Sequence, residues 1–174
     1  MKPDEVIEEI LEKCRPVILE DYDRYRNHVY RVFSNCILLD PEVANHFKYA
    51  LAAAFHDIGI WTNHTFDYLQ PSEHQAILYL TNIGKTELIE EITSMIHWHH
   101  KFTPFRGKHQ KTVDTFRKAD WIDISLGLIS FGQKENIRAG RKKYPNLGFH
   151  LFLIKQTSKR FFKHPLSPLP MLRK

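Results

Sequence analysis

Eleven histidines stand among 174 residues, and several occupy positions where helical spacing calls for an apolar side chain. Leu88, Ile92 and Met95 form a stripe whose next member is His99, and Ile89, Ile92 and Ile96 run on to His100. His97 instead follows Glu90, Thr93 and Ser94, on the solvent side. His74 precedes Ile77 and Leu78 on the inward face of a short helix, and His28 lies beside Tyr25 and Val32. Val113 and Phe116 lead to Asp120 and then Ile124. A carboxylate on a buried stripe is costly unless something positive neutralises it. His56 and Asp57 close the most apolar stretch of the chain. Adjacent residues of a regular helix diverge by about 100°, so both reach one point only where the helix unwinds, and Gly59 is expected to unwind it with a left-handed residue. A lone inward His is more often a satisfied core residue, and a lone inward Asp a cap. Taken together, His28, His56, Asp57, His74, His99 and Asp120, with His100 the nearest competitor of His99, give imidazoles and carboxylates converging on one centre. Such donors without thiolate suit Fe, Mn, Co or Zn, and a carboxylate can bridge two ions about 3.5–4 Å apart.

The elements that must position these groups are helical. Val6, Ile7, Ile10 and Leu11 recur at three-and-four spacing over 3–14, where Pro16 is expected to interrupt; Tyr25, Val29, Val32, Phe33 and Cys36 continue the pattern over about 17–39. Asp40-Pro41-Glu42 has the form of a helix start, and the helix it opens, apolar nearly all round, should be the central buried one. Ser72 with Gln75 has the form of a capping box, Gly84 closes the helix that follows, and Thr86 can cap the next, over 87–101. Further helices are expected over about 111–126, 135–144 and 149–163, with an extended Pro-rich end at Pro165–Pro170. Strand signals are nearly absent. The fold class expected is all-α, a single-domain helical bundle over 1–174.

At 20.7 kDa, with 43 % hydrophobic and 26 % charged residues, the chain has the composition of one packed domain rather than a disordered or low-complexity one. Cys14 and Cys36 match no paired metal spacing and form one bridge at most, so a reducing compartment fits best. No apolar signal region or span-length apolar run is present, which leads to the expectation of a cytoplasmic protein with no membrane partner. The net charge of +5 is uneven: residues 136–174 carry ten Lys or Arg and no acid. That basic region can attract phosphates or nucleic acid, but a solvated face balancing the acidic body is its commoner meaning.

His28, the dyad within Ala53-Ala54-Phe55-His56-Asp57-Ile58-Gly59, and Asp120 within Lys118-Ala119-Asp120-Trp121-Ile122-Asp123 resemble the ordered H…HD…D signature of the HD-domain metal-dependent phosphohydrolase superfamily. The resemblance covers residues 20–126 and implies an HD-type bundle whose C-terminal helices and basic tail, about 136–174, are an extension. It implies that His28, His56, Asp57 and Asp120 hold one divalent metal. Members with two metals add two histidines between dyad and last Asp, places that His74 and His99 or His100 match, with Asp57 bridging the ions and serving catalysis. Fe or Mn are the preferred metals. Two departures matter. Ile60 stands where many two-metal members have lysine, and the Gly-Tyr-Pro motif of the cyclic-dinucleotide branch is missing, since His99-His100 is followed by Lys101-Phe102-Thr103.

The function implied is hydrolysis of a phosphate ester, of a nucleotide or another small phosphorylated metabolite, by a metal-activated water. Arg31, Lys101 and Lys118 are the cations that spacing offers to a phosphate, each more commonly a plain surface charge. The same ligand set serves mixed-valence di-iron oxygenases among HD-domain relatives. A non-catalytic nucleotide or nucleic-acid sensor would instead use the basic tail with Tyr144, Phe161 and Phe162, but would have no need for six inward ligands.

Overall fold

The computed structural model describes residues 1–65 and 67–163, and among these it is all-helical. In chain order the helices are α1 (Pro3–Ile18), α2 (Tyr22–Leu39), α3 (Val43–Phe55), the single turn α4 (Gly59–Thr62), α5 (Leu69–Asn82), α6 (Ile89–Trp98), α7 (Gln110–Ile124), α8 (Lys134–Lys143) and α9 (Phe149–Lys163). Short 3-10 turns lead into α2 and α6. None of the helices described is long and apolar enough to cross a membrane.

The apolar helix α3 is the centre of the molecule. Every side chain from Tyr49 to Phe55 is buried, and α1, α2, α5, α6 and α7 all pack around it. α2 also lies along α7, and α5 along α6, so four elements that carry candidate ligands face one another around the α3 C-terminus. Tyr25 on α2 donates its hydroxyl to the Ala54 carbonyl (3.0 Å), satisfying an oxygen that the helix end leaves without an intrahelical partner. Asn35 on α2 donates to Ala119 O on α7 (3.1 Å), one residue before Asp120.

Several local expectations are corrected. Pro16 does not end α1, which runs to Ile18. Proline costs its helix one hydrogen bond, and near the last turn of an amphipathic helix the buried Ile18 outweighs that loss. Ser72 is not a helix cap: α5 begins earlier, at Leu69, with Pro71 in its first turn, and the buried Ser72 hydroxyl accepts the Gly59 N–H (2.9 Å). The motif at Asp40 works differently from a simple cap. Its carboxylate accepts from Asn45 Nδ2 (2.8 Å), Tyr49 Oη (2.7 Å) and Lys111 Nζ (2.9 Å), holding the start of α3 and reaching α7. Gly84 behaves as expected, with φ +67° and the Lys85 N–H bonded back to Leu80 O (2.8 Å). The Pro-rich end, Pro165–Pro170, lies outside the described residues.

Candidate metal centre

Past Phe55 the backbone tightens. His56 N still bonds four residues back to Ala52 O (2.9 Å), but Ile58 N bonds to Phe55 O (3.1 Å), Ile60 N to Asp57 O (3.0 Å) and Trp61 N to Ile58 O (3.1 Å). This change of pitch turns His56 and Asp57 to one side, as the sequence requires. Gly59 contributes by a different route from the one expected. It has no positive φ; a Cβ there would lie 2.5 Å from Tyr68 O and 2.9 Å from the Pro71 Cβ. Glycine is needed because the start of α5 presses directly on the turn.

His28, His56, Asp57, His99 and Asp120 are all buried. His28 Nε2 and His56 Nε2 lie 2.9 Å apart, a separation at which two nitrogen lone pairs repel unless a proton or a cation sits beside them. Asp57 Oδ2 faces both, at 3.5 and 3.4 Å, while its Oδ1 faces His99 Nε2 at 3.6 Å. Asp120 Oδ1 is 3.8 Å from each of His28 and His56, and its Oδ2 is 3.5 Å from His100 Nδ1. The ligand atoms group as His28, His56 and Asp57 on one side and Asp57, His99 and His100 on the other. Asp57 belongs to both groups and presents a different oxygen to each.

His56 Nδ1 pairs with Ala53 O (2.8 Å) and His99 Nδ1 with Ile96 O (2.6 Å). A carbonyl only accepts, so each Nδ1 carries a proton, and Nε2 is the ring nitrogen turned toward Asp57. Asp57 Oδ1, His99 Nε2 and both oxygens of Asp120 are buried with no hydrogen-bond partner among the described residues. Buried polar atoms are almost always satisfied; three carboxylate oxygens and one imidazole nitrogen left unsatisfied in one place fit a cation. Phe116 sets its ring edge-on to His56 (5.7 Å) and Phe149 stacks on His28 (4.1 Å), apolar walls that strengthen the electrostatics inside.

Burial disfavours every charge here, and the neighbours decide the outcome. His56 is pushed down to about 3 by burial, aided by the positive character of His28 and His99. His28 feels the same burial, yet Asp123 and Asp57 hold it up at about 9. Asp57 stays well below the usual carboxylate range despite its burial, held there by His56, His28 and His99. Burial lifts Asp120 to about 7.

The structure therefore brings together His28, His56, Asp57, His99, His100 and Asp120. It does not bring His74, which is exposed. The inward face of α5 is the stripe Ser72, Ala76 and Leu80; His74, two residues from the first two, points the other way, and Leu78 is exposed with it. His97 is exposed as expected and pairs with Glu73 (2.9 Å). Of the three cations, Arg31 is buried and bound to Asp123 (2.6 Å), and Lys118 is half-buried beside the Phe131 ring. Lys101 is buried next in sequence to His100, its amine pushed down by burial. Tyr144 stacks on Tyr30 (4.8 Å) rather than presenting its ring to solvent. Two contributors escaped the sequence reading. Asp123 binds His28 Nδ1 at 2.7 Å, and Tyr68 shares a 2.5 Å hydrogen bond with His100 Nε2. The signal available for Asp123 was its spacing of three from Asp120, which puts two acids on adjoining positions of one helix face. Comparison of the chain with family models, curated proteins and solved structures returns no match.

Proposed function

We propose that the chain is a metal-dependent phosphohydrolase of the HD-domain type, acting on a phosphate ester of a nucleotide or another small phosphorylated metabolite. The observation that carries this reading is the pair of donor groups sharing Asp57, with three carboxylate oxygens and one imidazole nitrogen, from Asp57, Asp120 and His99, left unsatisfied. His28, His56, Asp57 and Asp120 would hold one ion, and Asp57, His99 and His100 a second, from the set Fe, Mn, Co and Zn with Fe or Mn preferred. Bound ions of this kind lower the pKa of a water toward neutrality and neutralise charge on phosphoryl oxygens.

The chain's own residues do the rest. Asp57 fixes the relation between the two donor groups through its two oxygens. Carbonyls of Ala53 and Ile96 fix Nδ1 of His56 and His99, so that Nε2 is the nitrogen facing Asp57. Tyr68 holds the partly exposed His100, and Lys101, next in sequence, is a candidate cation for a substrate phosphate. Phe116 and Phe149 keep water from the far side of the ligands.

The test is elemental analysis of protein purified without chelator, followed by phosphate release across nucleoside monophosphates and small phosphate esters with Mn(II) or Fe(II). Metal retention with turnover of at least one ester is expected. Metal without turnover, together with dioxygen uptake under Fe(II), would overturn the hydrolase in favour of the oxygenase chemistry open to the same ligands.

A further inference from the structure

Three buried imidazoles at the centre are held through Nδ1, but not by the same means. His56 and His99 use carbonyls three residues back, at ends of their own helices, where such oxygens are left over. His28 stands inside α2, where the carbonyls are engaged in the helix, and its Nδ1 goes to Asp123 Oδ2 on α7 (2.7 Å). Asp123 is 1 % exposed and is gripped by Arg31, itself 2 % exposed, through Nε (2.6 Å) and Nη2 (2.9 Å). Arg31 Nη1 is anchored on the carbonyls of Tyr144 (3.1 Å) and Pro145 (3.2 Å), between α8 and α9.

A buried Arg–Asp pair is a poor device for stability. Desolvating two charges costs several kcal/mol per ion, and well-packed apolar residues often do as well or better. Apolar side chains would hold α2 against α7; they would not fix a tautomer. A carboxylate on Nδ1 does so, and also makes the other ring nitrogen a stronger electron-pair donor.

We propose that Asp123, backed by Arg31, is a positioning residue of the metal centre, holding His28 with Nδ1 protonated and Nε2 turned to the ion. The inference rests on the metal-dependent reading above. It also gives the C-terminal extension a role: the Tyr144 and Pro145 carbonyls set Arg31, the Phe149 ring stacks on His28 at 18°, and His150 Nε2 pairs with Asp123 O (2.9 Å). The region that begins as a basic appendage closes one side of the centre.

The experiment is Co(II) titration of the full chain, followed by visible absorption, for the parent protein, Asp123→Asn and Asp123→Ala. Loss of an orienting carboxylate typically costs 10- to 100-fold in metal affinity, and that range is expected for both variants, with an altered Co(II) ligand-field spectrum. Formate, which replaces the missing carboxylate, should recover part of the affinity of Asp123→Ala and none in Asp123→Asn, where the amide fills the space. Asp123→Asn keeps the shape and so covers the case in which Asp123→Ala does not fold. Variants that fold, bind Co(II) within twofold of the parent and ignore formate would show a purely structural pair and overturn the proposal. A parent protein that binds no Co(II) would overturn the metal reading itself, and this inference with it.

Discussion

At the scale of single residues, the two oxygens of Asp57 face different imidazoles, so one substitution there disturbs both donor groups. Asp57→Ala and His56→Ala are expected to strip the metal and abolish turnover, while His97→Ala and His74→Ala, both at exposed positions, keep it. Elemental analysis of the four proteins decides, and equal metal content in all of them would remove the assignment. Asp120→Asn should lose metal as well, since a neutral amide is a poorer ligand for a divalent cation. Far from this centre, Asp40 offers a separate check on electrostatics. Its burial would raise its pKa, but Lys111, Tyr49 and Asn45 bring it down to about 2. A carboxyl titrating lower in the folded than in the unfolded chain contributes stability above its ordinary value near 4, and that contribution disappears as pH falls toward 2. Urea midpoints measured between pH 5 and pH 3 should therefore fall less steeply for Asp40→Asn than for the parent.

At the scale of elements, the turn between α3 and α5 decides whether His56 and Asp57 share a direction. Gly59→Ala would drive a methyl to within 2.5 Å of Tyr68 O. Overpacking of a tight interior costs about 1–3 kcal/mol, and a loss of at least that size is expected in chemical denaturation, with weaker metal retention because the dyad rests on the same turn. The sequence made Gly59 visible as a break but not as a point of contact, since its partners Tyr68 and Ser72 lie beyond a loop. α5 shows the complementary failure. Ile77 and Leu78 pulled the inferred face toward His74, whereas packing on α6 and α3 selected the smaller stripe of Ser72 and Ala76 with Leu80. Small residues allow helices close together, and closeness rather than hydrophobicity chose the buried side.

At the scale of the whole molecule, an ion held by a centre assembled from α2, α7 and the ends of α3 and α6 would be coupled to folding, because the unfolded chain has no such site. An ion present at a hundredfold excess over its Kd adds about 2.7 kcal/mol, which for a domain of this size raises Tm by on the order of 5–10 °C. Mn(II) should give that shift in thermal melts of the parent protein and none in His56→Ala; a chelator should reverse it. Equal melts with and without ion would separate the fold from the metal.

The all-helical class, most helix positions, the buried character of α3, and the inward phase of His28, His99 and Asp120 were legible in the chain because each follows from a local period of 3.6 residues acting on residue type. So was the gathering of buried imidazoles and carboxylates from His28, His56, Asp57, His99 and Asp120. What only the tertiary structure decided are pairings across long separations: Asp123 with His28, 95 residues away, the buried Arg31 that holds it, the exclusion of His74, and the Gly59 contact. Periodicity tells which way a side chain faces on its own helix. Which neighbour it then meets depends on how closely helices approach, and that is set by the packing of the whole core.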